Sequence, residues 1–324
     1  MKSTLDILRS SNRLLVTTHD FPDGDGLGSQ MALVRGLQSL GKTCHALNPG
    51  PTPEKFALVD PAQQIRIFTP GAPLPAVDAI VIVDTAELKL MGAMEAPIRA
   101  AGVPIVYVDH HTAEAPAGET HFVRETYAAT GELVHALLSG LRVKLDEGMA
   151  TALYVAIVTD TAGFRFKRTS PRSHRIAAQL LECGVKPETV YHQIYARESA
   201  QKMRLLGYAL ERLQVSPDGQ IAWVTLPRAE REKFGATIED TESFIGFLTV
   251  LQGVQIAALF REEDDGRTKV SLRGMGQTPV LEIARAAGGG GHVFAAGARV
   301  SRPMAEVAAQ VLADCQRALH SARS

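Results

Sequence analysis

A series of short apolar runs in this 324-residue chain each end against an acidic or imidazole side chain, and this repetition constrains the fold most tightly. Val103-Pro104-Ile105-Val106-Tyr107-Val108 runs into Asp109-His110-His111. Leu14-Leu15-Val16 leads to His19-x-x-x-Asp23-x-Asp25, and Ala79-Ile80-Val81-Ile82-Val83 stops at Asp84. A further apolar segment, Ala152 to Val158, leads to Asp160. Runs this short and this apolar suit strands buried on both faces. Polar groups at their ends then converge on one edge of a parallel sheet, where open α/β sheets bind ligands.

The intervening residues fit crossover connections. Strands are expected over 14–18, 44–47, 65–68, 79–83 and 105–108. Leu27, Met31, Val34, Leu37 and Leu40 recur at helical spacing, with Gly41 as a stop. Beyond Thr130 the pattern turns helical over 132–141, 147–159, 172–183 and 187–195, with Pro171 and Pro187 near helix starts. An amphipathic helix over 199–213 precedes the turn Ser216-Pro217-Asp218-Gly219. Strands over 221–226, 253–260 and 268–272 follow, with helices over 228–234, 281–287 and 304–319. The expected class is α/β. A parallel-sheet domain with flanking helices spans 1–195, a helical linker 196–215, and a smaller α/β domain 216–324.

Composition limits the partners. A formal net charge of −1 supplies no broad field for holding long nucleic acid. Any nucleic-acid substrate is therefore expected to be short, or held by a few local basic residues. Cys44, Cys183 and Cys315 match no metal or redox spacing. No apolar run approaches the roughly 20 residues that span a bilayer, and residues 1–20 show no secretory pattern. The expectation is a cytoplasmic protein without a membrane partner; a homodimer stays open.

The acidic clusters point to cations. Pro22, Gly24 and Gly26 suit a tight loop that turns Asp23 and Asp25 toward neighbouring directions. Carboxylates packed so closely repel unless positive charge lies between them. With Asp84, Asp109, His110, His111 and Asp160 also at element ends, the donors exceed what one octahedral ion takes. Two divalent ions sharing a carboxylate is a known hydrolytic arrangement. Mixed carboxylate and imidazole donors without thiolate favour Mn²⁺, with Mg²⁺ or Co²⁺ as alternatives. For Asp84 a helix cap, and for Asp109 a purely structural role, are the competing readings. Arg165, between Phe164 and Phe166, suits a phosphate clamp or an ordinary surface arginine. Gly288-Gly289-Gly290-Gly291 can bring backbone N–H groups to a phosphate as an anion nest, with His292 as a further donor, and Arg273 is expected at the same cleft.

These motifs, in this order, resemble the DHH phosphoesterase superfamily over residues 19–160. GGGGHVFAAG over 288–297 resembles the substrate-binding signature of the DHHA1 domain. The two-domain length is similar to the branch that degrades nano-RNA and 3′-phosphoadenosine-5′-phosphate (pAp). The resemblance implies that His19 and Asp23 bind one metal and that Asp25, His110 and Asp160 bind the other, with Asp84 bridging. It implies that Asp109 orients His110 and that His111 faces the substrate. Arg165, Arg273, Gly289, Gly290, Gly291 and His292 would bind substrate. Where the family pattern often continues from the arginine with Ser, this chain has Gly274. The implied activity is Mn²⁺-dependent hydrolysis of short oligoribonucleotides to 5′-mononucleotides and of pAp to AMP, by a hydroxide held between the metals. The alternatives are a cyclic-dinucleotide phosphodiesterase and a non-catalytic nucleotide-binding protein.

Overall fold

The computed structural model describes residues 1–111, 120–276 and 278–321, which form two compact units, Met1–Arg197 and Glu198–Ser324. In the first unit, helix α1 (Lys2–Ser10) precedes β1 (Arg13–Thr17), α2 (Gly24–Ser39), β2 (Thr43–Asn48), β3 (Arg66–Ile67) and β4 (Ala79–Val83). After these come α3 (Glu95–Ala100), β5 (Ile105–Asp109), β6 (Thr120–Val123), α4 (Thr130–Gly140), α5 (Glu147–Asp160), α6 (Pro171–Glu182) and α7 (Pro187–Tyr195). The strands form a six-stranded sheet in the order β3-β2-β1-β4-β5-β6, with every neighbouring pair parallel. Successive strands step outward in one direction from β1 and in the other from β4. The order therefore reverses between β1 and β4, the place where such sheets open a crevice at their carboxyl ends.

All five residues of β4 are buried, as expected for a central strand covered on both faces. Leu14, Val16, Val81, Val83, Val106 and Val108 face α2, α4 and α5. Leu15, Ile80, Ile82, Ile105 and Tyr107 pack with Met91, Met94 and Ile98 on the other side. Helix α5 is apolar around its whole circumference and is buried accordingly. Its close approach to α2 depends on Gly28, where a Cβ would run into the Ala152 carbonyl and Ala156. Asp146 caps α5 by accepting from the Met149 N–H at 2.7 Å.

The second unit contains α8 (Ala200–Glu211), β7 (Gln214–Val215), β8 (Ile221–Leu226), α9 (Arg228–Lys233), α10 (Phe244–Leu248), β9 (Ile256–Glu262) and β10 (Thr268–Gly274). It ends with α11 (Leu281–Ala286), β11 (Gly290–His292), β12 (Ala295–Val300) and α12 (Met304–Ser321). Its sheet runs β11-β12-β10-β9-β8-β7, and among these pairs only β8 and β9 are parallel. Val307, Val311 and Cys315 of α12 cover one face, with Ile283 of α11. Leu205, Leu206 and Ala209 of α8 cover part of the other, with Phe244 and Ile245. Helix α8, expected within a linker, is thus part of the second unit's core.

Candidate metal centre

The loop after β1 carries His19 and Asp23 to the reversal point of the sheet. One Asp23 oxygen caps α2, accepting from Asp25 N at 2.9 Å and Gly26 N at 3.1 Å. Asp25, in the first turn of α2, is buried and accepts from the Thr130 and Gly131 N–H groups at 2.6 and 2.9 Å. Those amides open α4, so the positive end of that helix faces the carboxylate. Asp84 leaves β4 with φ of 64°, a left-handed conformation that costs a non-glycine residue on the order of 1–3 kcal/mol. Its Oδ1 accepts from Thr130 Oγ1 at 2.9 Å. Asp160 arrives from the carboxyl end of α5 rather than from a strand.

His110, at the end of β5, is 1% exposed. Its Nδ1 lies 3.4 Å from the Tyr127 carbonyl, which can only accept. That places the hydrogen on Nδ1 and a lone pair on Nε2. The Arg168 guanidinium, 3.5 Å from the same Nδ1, is at the outer limit of a hydrogen bond and does not alter that choice. Nε2 is buried with no hydrogen-bond partner among the described residues, 3.3 Å from Asp160, 3.7 Å from Asp25 and 3.9 Å from Asp84. A lone pair facing three carboxylates is repulsive unless a cation lies among them. His19 Nε2 lies 3.7 Å from Asp84 Oδ2.

The donor atoms gather into three overlapping groups, each within 4.8 Å: His19, Asp23 and Asp84; Asp25, His110 and Asp160; and Asp84, His110 and His111. These residue types and this orphaned nitrogen fit divalent ions. The protonation equilibria point the same way. Burial, then the charge of Asp84, pushes the Asp25 carboxyl well up; burial and Asp23 do the same to Asp84. Burial and Asp23 raise Asp160 to about 6. Burial lowers His110 to about 4, and His19 also falls. Each shift disfavours the charged form of a group whose crowding a cation would relieve.

Asp109 corrects one expectation. Its Oδ1 accepts from the backbone N–H of His111 at 3.1 Å and faces His111 Nδ1 at 2.8 Å. It therefore orients His111, while the Tyr127 carbonyl orients His110. Burial pushes the Asp109 carboxyl up, but the hydrogen bonds and charge of His111 outweigh it and leave it lowered. The same hydrogen bond raises His111 above the ordinary imidazole value.

Of the other expected residues, Arg165 belongs to the first unit and the rest to the second. Arg165 Nε donates to the Ala162 carbonyl at 2.7 Å. It lines a hollow of about 540 Å³ with Phe164, Tyr191 and Tyr195. In the second unit, Lys269, Ser271 and Arg273 alternate along β10 onto one sheet face. Arg261 pairs opposite Lys269 on β9, and Gly297 opposite Ser271 on β12. These residues and Gly290 line a groove of about 220 Å³. Arg261 is 3% exposed; its guanidinium holds the Ile238 carbonyl at 3.0 Å, Thr241 and Glu263, and Nε has no partner among the described residues. The glycine run does not form the expected nest. Gly290 to His292 is an edge strand paired with β12, and a Cβ on Gly289 would strike Gly297 and Ala298. Gly289, Gly291 and His292 are thus placed by the hairpin beside the groove.

Sequence reasoning missed Thr130, whose backbone and hydroxyl hold Asp25 and Asp84, and the Tyr127 carbonyl. Thr130-Gly131 before an apolar helix was the available signal for the first; a backbone carbonyl carries none. It also missed Lys269 and Arg261, although the alternation Lys269-x-Ser271-x-Arg273 was visible in the sequence.

Clustered Asp and His at a parallel-sheet reversal are the arrangement of a metal-dependent hydrolase. The chain belongs to the DHH family of phosphoesterases: the DHH family N-terminal domain matches residues 13–157, and the DHHA1 domain matches residues 220–321. Among curated relatives, the bifunctional oligoribonuclease and PAP phosphatase NrnA of Thermus thermophilus is 32% identical over 92% of this chain and 87% of its own. The protein of the same name from Bacillus subtilis is 28% identical over 89% of each. The crystal structure of an exopolyphosphatase-related protein from Bacteroides fragilis has the same fold, with a TM-score of 0.87 over 98% of this chain and 96% of that one, at 23% identity. Among the described residues no helix is long and apolar enough to cross a membrane.

Proposed function

We propose that this phosphoesterase hydrolyses short oligoribonucleotides to 5′-mononucleotides and pAp to AMP, with two divalent ions, Mn²⁺ best. The Nε2 of His110, without a hydrogen-bond partner among the described residues and set among Asp25, Asp84 and Asp160, carries the reading of the centre. The NrnA relatives support the choice of substrates. His19, Asp23 and Asp84 would hold one ion, and Asp25, His110 and Asp160 the other, with Asp84 shared. Bound ions supply acidification of a water and neutralisation of phosphoryl charge.

The chain's own groups do the rest. Thr130 and Gly131 fix Asp25 and Asp84 so that neither carboxylate rotates away. His111, half exposed and held by Asp109, keeps its proton above the ordinary imidazole range and can donate it to a phosphoryl or leaving oxygen. In the second unit, Arg261, Lys269, Ser271 and Arg273, with Gly289 and the edge strand Gly290 to His292, would bind the nucleotide's phosphate. Arg165 would assist in the first unit. Location in the cytoplasm and action as a possible homodimer belong to this same reading.

One panel tests the function: purified protein with Mn²⁺, offered pAp, RNA dinucleotides and pentanucleotides, cyclic-di-AMP, pyrophosphate and long RNA. Hydrolysis of pAp and the shortest RNAs is expected, with long RNA much slower. A preference for cyclic-di-AMP, or binding without turnover, would overturn the assignment.

A further inference from the structure

Phe21 lies in the loop between β1 and α2, two residues after His19 and two before Asp23. It is 87% exposed, while the smaller Pro22 beside it is buried. Phe is ordinarily among the most buried residue types and Pro among the exposed, so the loop inverts the usual sorting. The loop is also pinned at both ends. The Asp20 N–H donates to the Leu90 carbonyl at 2.8 Å, and Asp23 caps α2. The outward aim of Phe21 is therefore built in. At about 3.8 Å per residue, its Cα is no more than about 7.6 Å from those of His19 and Asp23, at the rim of the metal centre.

Single exposed apolar residues are common and need no explanation. This one differs by its place between two residues of the cluster and by the burial of its neighbour. The cluster around it consists of carboxylates and imidazoles, none of which offers an apolar surface to a substrate. A phenyl ring offers a face that any nucleobase can stack on, whatever its hydrogen-bonding edge. We propose that Phe21 stacks on the base of the nucleotide whose phosphate lies at the metal centre. It thereby selects nucleotides over other phosphoesters without choosing among bases. This inference rests on the nucleotide phosphoesterase reading above.

The test is a double-mutant cycle between side chain and base. A diribonucleotide and its two abasic analogues, each lacking one base, are hydrolysed by the wild type, Phe21→Ala and Phe21→Trp with Mn²⁺. In the wild type, kcat/KM should fall on the order of tenfold when one of the two bases is removed. Phe21→Ala should lose a similar factor on the intact dinucleotide and become indifferent to that same base. Phe21→Trp should behave as the wild type. Equal losses by Phe21→Ala on all three substrates, or no loss, would overturn the stacking role while leaving the phosphoesterase reading intact. A wild type inactive on every dinucleotide would remove that reading and the inference with it.

Discussion

At the sheet edge of the first unit, Asp25, Asp84 and Asp160 are crowded around His110 with their carboxyls pushed upward. On the sheet face of the second, Arg261, Lys269 and Arg273 share one groove. The two regions carry opposite electrostatic problems. Crowded acids are relieved by cations, and crowded bases by anions such as phosphate. The contrast supports the proposal that the first unit carries the chemistry and that the second grips the nucleotide's phosphate.

The sharpest way to break that division compares kcat/KM on two substrates, because remote binding can act through kcat as well as KM. Asp25→Asn and His110→Ala should damage hydrolysis of pAp and of a small nucleotide-free phosphodiester alike. Arg273→Ala and His292→Ala should cost about 2–4 kcal/mol on pAp, the range for losing a buried charged contact, and little on the small substrate. If His292→Ala cripples the small substrate as Asp25→Asn does, the second unit belongs to the chemical machinery.

A smaller effect sharpens the picture within the first unit. Removing a group that orients a working imidazole typically costs about 10–100-fold. Asp109→Asn should lose activity in that range. With protonated His111 as the proposed donor, activity should fall as pH rises through its raised pKa. Without the Asp109 carboxylate that pKa drops, and the alkaline limb of the kcat profile should move to lower pH. An unmoved limb would exclude His111 as the titrating donor.

The parallel sheet was legible because β1, β4 and β5 are short apolar runs, and their terminal Asp and His residues mark its carboxyl edge. The ends of β4 and α5 were placed within a residue. Strand β6 was missed because Thr120-His121-Phe122-Val123 is only partly buried and lacks a clean alternation. Helix α1 was missed because its first residues are polar and its burial rests on Leu5 and Leu8. The glycine run misled for a physical reason. Glycine serves phosphate approach and close strand packing equally well, and here Gly289 and Gly291 are required by β12. The Asp109–His111 pairing was not readable either, because two adjacent imidazoles offer the same carboxylate two partners.

The central claim is that the acidic edge holds two ions that make the centre active. Its most direct test is calorimetric titration of chelator-stripped protein with Mn²⁺ near pH 7 in buffers of different ionisation enthalpy, with pAp hydrolysis followed in parallel. Because burial and neighbouring carboxylates push the Asp25 and Asp84 carboxyls up and a bound cation would lower them again, uptake should shift their equilibria toward proton release to the buffer. The account predicts two equivalents bound, proton release, and activity restored only as the second ion enters. Binding of a single ion, or substantial hydrolysis by the stripped protein, would contradict it.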